Sequence, residues 1–331
     1  MSNHAVVEYI EASKHIRPLE WLWPDWLPTG VVTVLAAESG AGKTWLSLLV
    51  AKSILKGSFW LDGDSEAPTG KVLFIDTEGS GGLIDRRVRE ADIPFAGFYR
   101  LMTLEGEGKM DAAGFQLGEE DQRVCVEEWV LANRPKLVVI DSLSGAHSSD
   151  ENSAQEVKHI MQWLVALAEK AGTAILATHH LRKRKDDIGL NVVSLDRIRG
   201  SGVIAQFPKC IWALDVLEGG VRKLHQVKNN DRDFDAIKPI GYTISSSGLV
   251  PYELTAEVER ETKLEEAETW LVEFLNAHSG MAAATEVAKM AKMANLASKT
   301  LLRAKKSLEV DSFKGQSGEW IWAFHRGSRR E

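Results

Sequence analysis

Cysteine is scarce: the 331 residues include Cys125 and Cys210 alone, both in apolar surroundings and without a CxxC spacing. That argues against a disulfide framework and a zinc site and predicts two buried free thiols. Long apolar runs are missing as well, none approaching the roughly 20 residues that span a bilayer. The opening stretch MSNHAVVEYIEASKHIRP carries acids and lacks the apolar run and small-residue cleavage site of a secretory signal, so the expected location is the cytoplasm. There is no internal repeat and no low-complexity segment. What remains, 44% hydrophobic and 26% charged residues, is an ordinary globular composition. The length exceeds one average domain and suits a large α/β core with a small appendage.

Positive charge is in deficit, with a net charge of −7. Residues 281–331 nevertheless hold ten Lys/Arg against five Asp/Glu, an excess of +5 that leaves −12 for the rest. An acidic body with a basic tail points to nucleic-acid contact through restricted patches rather than over the whole surface.

Residues 1–29 read as an N-terminal strap, because WLWPDWLPTG at 21–30 is too rich in Trp and Pro for a helix; its aromatics read as packing. From Val31 short apolar runs alternate with amphipathic stretches: VVTVLAA, a helix from Lys43, KVLFID, helices near 83–91 and 119–133, KLVVID, a helix near 153–171, and TAILATHH. Strands apolar on both faces and separated by helices predict a parallel sheet flanked by helices. CIWALDV, VRKLHQV and GYTIS predict an antiparallel extension that closes a core over 30–250. A helical connector at 251–264 leads into a second domain at 265–331, with a helix near 264–278, the helices ATEVAKMAKM and ASKTLLRAKKSL, and two strands carrying Trp320, Trp322 and Phe324. That order reads as a winged helix.

Ala37-Glu38-Ser39-Gly40-Ala41-Gly42-Lys43-Thr44 fits the phosphate-binding P-loop with Ala for the first Gly, between a strand and a helix as the chemistry requires. The glycines let backbone N–H groups curl around phosphate oxygens at a helix N-terminus. Lys43 reaches the β- and γ-phosphates of ATP, and Thr44 ligates Mg²⁺. Leu137 to Asp141 is an apolar strand ending in a carboxylate, which makes Asp141 the second Mg²⁺ partner. KVLFIDTEGS ends in Asp76 and Glu78 and is expected beside the P-loop strand; Glu78 could orient the attacking water or be a solvated loop acid, with Asp76 next in line.

Together these motifs resemble RecA-like hexameric helicases, the RepA-like replicative enzymes of the AAA_25 type and the DnaB-like ones, over roughly residues 18–245. Glu78 followed nine residues later by Arg87 matches a Glu and Arg at that spacing in both groups, where the Glu is the catalytic carboxylate. Thr178-His179-His180 resembles a paired His of RepA-like proteins, which implies that His180 senses the γ-phosphate. Arg199-Gly200-Ser201-Gly202-Val203-Ile204-Ala205-Gln206 resembles the R-x-S-G-x-I-x-Q run of DnaB-like proteins. Lys228-Asn229-Asn230-Asp231-Arg232 resembles the segment that places a cation in the neighbouring subunit's site, so Lys228, Arg232 or Arg199 is a finger in trans.

The same resemblance puts the segments 142–152 and 181–199 on a central channel, where Arg182, Lys183, Arg184 and Lys185 would track single-stranded DNA; a solvated charged loop is the alternative. In the tail, Lys299, Arg303 and Lys306 at i, i+4, i+7 form a cationic stripe opposite Leu301, Leu302 and Leu308, suited to DNA or, alternatively, to a docking protein. The expectation is an ATP-driven, Mg²⁺-dependent helicase acting as a homohexamer on single-stranded or forked DNA, with a primase or replication initiator as further partner. Its rivals are a RecA-like recombination ATPase and a regulatory or loader ATPase without unwinding.

Overall fold

The computed structural model describes residues 6–14, 18–105, 109–111, 116–143, 154–181, 198, 204–231, 237–245, 248–254, 256–294, 296–315 and 318–324. After a short helix α1 (Tyr9–Ser13), the strap forms a small antiparallel ladder, β1 (Trp21–Trp23) with β2 (Leu27–Pro28). Its tryptophans are packing, as expected: Trp23 and Trp26 are buried, and the Trp23 ring stacks on Trp60 at 5.2 Å. Trp212 Nε1 donates to the Trp26 carbonyl, which fastens the strap to the sheet.

The core is α/β, as the alternation predicts. Its central sheet has nine strands in the order β13-β12-β11-β10-β3-β9-β8-β4-β5. Strands β3 (Val32–Ala37), β4 (Val72–Asp76), β5 (Phe98–Arg100), β8 (Leu137–Asp141), β9 (Ala174–His180) and β10 (Cys210–Val216) run parallel. Alternate residues serve two cores. Leu35, Phe74, Val139 and Leu176 face α2 (Lys43–Lys56) and α3 (Gly81–Glu90), whereas Val34, Ile75, Ile140 and Ile175 face α4 (Glu120–Asn133) and α5 (Ala154–Ala171). Strands buried on both faces therefore need apolar residues at most positions, and these have them, with buried polar residues such as Thr33, Thr178 and Asp215 as exceptions. A hairpin of β6 (Thr103–Glu105) and β7 (Lys109–Asp111) stands apart from the sheet.

Four expectations need correction. First, β4 does not lie beside the P-loop strand: β9 and β8 fill the positions between them. The long link after α2 carries the chain past those positions before β4 forms. Second, β10 pairs in parallel with β3, so the antiparallel extension begins only at β11 (Arg222–Asn229) and continues through β12 (Ile240–Ser245) and β13 (Gly248–Tyr252). A short Gly-containing turn reverses the chain after β10, whereas the long crossover before it permits parallel pairing. Third, the sheet reaches Tyr252, and the 251–264 connector and the helix after it are one helix, α6 (Ala256–Ala277), since no Gly or Pro interrupts the run. Fourth, Cys125 is exposed: helical periodicity turns Val126 and Val130 inward and Cys125 out. Cys210 is buried, and burial pushes its thiol up to about 12.

In the tail, β14 (Met281–Ala283), β15 (Asp311–Lys314) and β16 (Trp320–Ala323) form a three-stranded sheet in the order β14-β16-β15, one strand more than expected. With α6, α7 (Ala284–Met293) and α8 (Ser298–Ser307) it encloses a separate core of Leu271, Leu275, Val287, Leu301 and Trp322. Among the described residues no helix is long and apolar enough to cross a membrane.

Candidate active site

Parallel strands bring their carboxyl ends to one edge, and four of them meet there. The register pairs Ala37 of β3 with His180 of β9, and Asp76 of β4 with Asp141 of β8. β3 runs into a loop whose Gly40 and Gly42 have φ of +79° and +108°, a region that favours glycine. Gly42 caps α2, so the loop's N–H groups and the helix N-terminus share one cradle. Strands β11 and β12 brace that loop from outside: Arg222 Nε donates to the Ala41 carbonyl at 3.4 Å, and a Cβ at Gly42 would meet Ile244 Cδ1 at 2.7 Å.

Lys43, the first residue of α2, is 5% exposed. Its ammonium donates to the carbonyls of Ala37 at 3.0 Å and Glu38 at 2.9 Å, and to His180 Nδ1 at 3.1 Å. Burial pushes Lys43 down to about 8, against the opposing pull of Asp141, Glu78 and Glu38. Since a charged ammonium has no lone pair to offer, Nδ1 of His180 accepts, which leaves Nε2–H to donate to Glu78 Oε1 at 2.9 Å. The same Oε1 accepts from Ser142 Oγ at 2.7 Å. Half-burial alone would push the Glu78 carboxyl up. The bonds from Ser142 and His180, with the Lys43 charge, outweigh it and hold the carboxyl below its usual range.

Asp141 is buried, and its Oδ1 accepts from the buried Thr178 hydroxyl at 2.6 Å. Among the described residues nothing is bonded to its Oδ2. Asp76 has its own partners: it accepts from Arg100 at 3.2 Å and from the Glu78 N–H at 3.1 Å, and burial pushes its carboxyl up. Arg87 lies over the Trp45 ring at 5.7 Å.

The residues fit a nucleotide and its cation. A buried ammonium and a glycine cradle at a helix N-terminus suit phosphate oxygens, and Thr44 with the open oxygen of Asp141 suits a hard cation that takes few protein ligands. Beside the loop, a cavity of about 230 Å³ is lined by Glu38, Ser39, Gly40 and Ala41 and by Leu214 and Val216 of β10.

The structure thus brings Lys43, Asp141, Glu78 and His180 to one edge. Lys228 is elsewhere occupied, with its ammonium on the carbonyls of Ala205 at 3.0 Å and Gln206 at 3.4 Å. Arg199, Arg232, the Arg182 to Lys185 run, and residues 199–203 of the helicase-like run lie outside the described residues. Lys299, Arg303 and Lys306 are exposed on α8 as expected, but Leu302 is exposed with them, and the buried side is Leu301 and Ala304. Ser142, expected on the channel as the first residue of the segment 142–152, is instead fully buried and bonded to Glu78. Sequence reasoning missed that bond, the role of Thr178 beside Asp141, and Arg222.

Residues 3–186 match the AAA_25 family, described as an AAA domain. Over 232 residues the chain is 26% identical to the DNA repair and recombination protein RadB of Archaeoglobus fulgidus, an alignment that covers 67% of this chain and 90% of that protein. The family match takes in more than half of the chain, including the loop at 37–44, Glu78, Asp141 and His180, and the chain therefore belongs to the AAA_25 family of P-loop ATPases, with a RecA-like α/β core.

Proposed function

We propose that this chain hydrolyses ATP with Mg²⁺ to drive a DNA-processing step of the recombination kind, as an assembly of its own copies. The observation that carries this reading is the convergence of Lys43, Asp141, Glu78 and His180 on one sheet edge, where hydrogen bonds run from Lys43 through His180 to Glu78 and Thr178 holds Asp141. The likeness to RadB, a protein named for DNA repair and recombination, supports DNA as the partner. In this reading Lys43 and the 37–44 cradle bind the phosphates, Thr44 and Asp141 hold Mg²⁺, Glu78 orients water, and His180 reports the γ-phosphate. Mg²⁺, when bound, neutralises charge on phosphate oxygens. Beyond the buried Ser142, Leu143 and Leu181, the segments 142–152 and 181–199, with Arg182, Lys183, Arg184 and Lys185, are the proposed single-strand contacts, and the 265–331 region is the proposed winged helix. One of Arg199, Lys228 and Arg232 completes a neighbour's site; Lys228 would first have to leave the carbonyls of Ala205 and Gln206.

A second reading, a ring helicase of RepA-like or DnaB-like kind, is favoured by the run RGSGVIAQ at 199–206. One preparation decides between them: strand pairing and fork unwinding measured with ATP in the same buffer, with the particles imaged. Pairing on filaments supports the first reading, and unwinding by closed rings would replace it with the second. DNA-independent turnover with neither activity would point to a regulatory or loader ATPase.

A further inference from the structure

Two donors converge on a single atom. Glu78 Oε1 accepts from Ser142 Oγ and from His180 Nε2, while among the described residues its Oε2 has no hydrogen-bond partner. Ser142 is fully buried. Its backbone is fixed on both sides by the residue before Glu78: Ser142 N–H donates to Thr77 Oγ1 at 2.8 Å, and Thr77 Oγ1–H donates to the Ser142 carbonyl at 2.6 Å. Thr77 N–H in turn donates to the Asp141 carbonyl at 2.9 Å. The ends of β4 and β8 are thereby bolted together, and the Ser142 hydroxyl is presented to the carboxylate from a fixed frame.

We propose that Ser142 is a positioning residue for hydrolysis: its hydroxyl and the His180 imidazole hold Glu78 by Oε1 and leave Oε2 directed to the attacking water. The inference rests on the reading of Glu78 as the water-orienting carboxylate. Without the Ser142 bond the carboxylate keeps one tether of two and can swing about its side-chain torsions, so fewer bound waters stand in line with the γ-phosphate. Nucleotide binding is untouched, because Ser142 meets none of the loop residues that hold phosphate.

Ser142→Ala removes a donor to a charged acceptor with almost no change in volume, a loss expected to lower kcat roughly ten- to a hundredfold. The affinity for a fluorescent ATP analogue, measured on the same full-length protein, should stay at the wild-type value. Ser142→Thr, which keeps the hydroxyl, should retain most of the turnover. In single-turnover hydrolysis, Ser142→Ala added to Glu78→Gln should cost no more than Glu78→Gln alone, since both act through one carboxylate. A purely structural serine would instead weaken nucleotide binding and add its loss to that of Glu78→Gln. Wild-type turnover in Ser142→Ala, or a fully additive double variant, overturns the proposal while leaving the ATPase reading in place. A wild-type protein that binds ATP but never hydrolyses it overturns both.

Discussion

Lys43 Nζ stands 3.1 Å from His180 Nδ1, so the cation of the phosphate loop and the imidazole at the end of β9 are in direct contact. The other ring nitrogen reaches Glu78 Oε1, which makes His180 a bridge between the phosphate-binding cation and the carboxylate. A γ-phosphate that draws Lys43 away would free Nδ1 and change what the imidazole does at Glu78. His180→Ala should therefore lower kcat roughly ten- to a hundredfold with little change in nucleotide affinity. Steady-state turnover beside a binding titration checks this. A fall in affinity as large as the fall in kcat would make His180 a binding group instead.

Nucleotide affinity should depend on alkaline pH through Lys43. Burial sets its ammonium at about 8, well below its ordinary value of 10.5, and phosphate binds only the charged form. Affinity should be full below pH 8 and fall as pH rises through it, with proton uptake on binding near that pH. The nucleotide-free protein should respond in the opposite sense. Its unfolded state holds more protons between about 8 and 10.5, so stability rises with pH across that window. Calorimetric titrations in buffers of different ionisation enthalpy test the uptake, and a flat affinity from pH 7 to 9.5 would remove Lys43 from the phosphates.

Thr178 donates to Asp141 Oδ1 at 2.6 Å, and both side chains are buried. Thr178→Val keeps the shape and removes the hydroxyl. Partners of a metal-holding group commonly cost ten- to a hundredfold in metal affinity or activity when lost. The Mg²⁺ concentration for half-maximal turnover should rise by an amount on that order, with saturating kcat less affected. An unchanged Mg²⁺ dependence would mean that Asp141 needs no such orientation.

The nucleotide residues were legible because P-loop chemistry is local: 37–44 are consecutive, and the apolar runs before Asp141 and Glu78 announce buried strands. Sheet order was not legible. Nothing in the run KVLFID states that two later strands will separate it from β3, because order is set by crossover geometry rather than by local pattern. The bond from Ser142 to Glu78 was not legible for the same reason, since it comes from the register that sets β4 against β8. Leu302 was misplaced by counting all leucines of α8 as inward, although its neighbour Leu301 fills that role and Leu302 is 56% exposed. β14 went unseen because three residues before a helix carry too little pattern to mark a strand.

Lys299, Arg303 and Lys306 are exposed on α8 in a region of +5 charge. If this face grips DNA, their combined substitution by Ala should lower the slope of log affinity against log salt by up to about three units, with ATP turnover retained. Fluorescence anisotropy with forked DNA across a salt series gives the slope. An unchanged slope would assign the tail to a partner protein.

The most direct measurement compares Glu78→Gln and Lys43→Ala with the wild type for ATP turnover and nucleotide binding in one preparation. Glu78→Gln should bind nucleotide like the wild type yet turn over roughly a hundredfold or more slowly, as loss of a general base implies. Lys43→Ala should lose turnover altogether, because the buried cation that meets the phosphates is gone. Turnover near the wild-type rate in Glu78→Gln would contradict the assignment of this edge as the hydrolytic site.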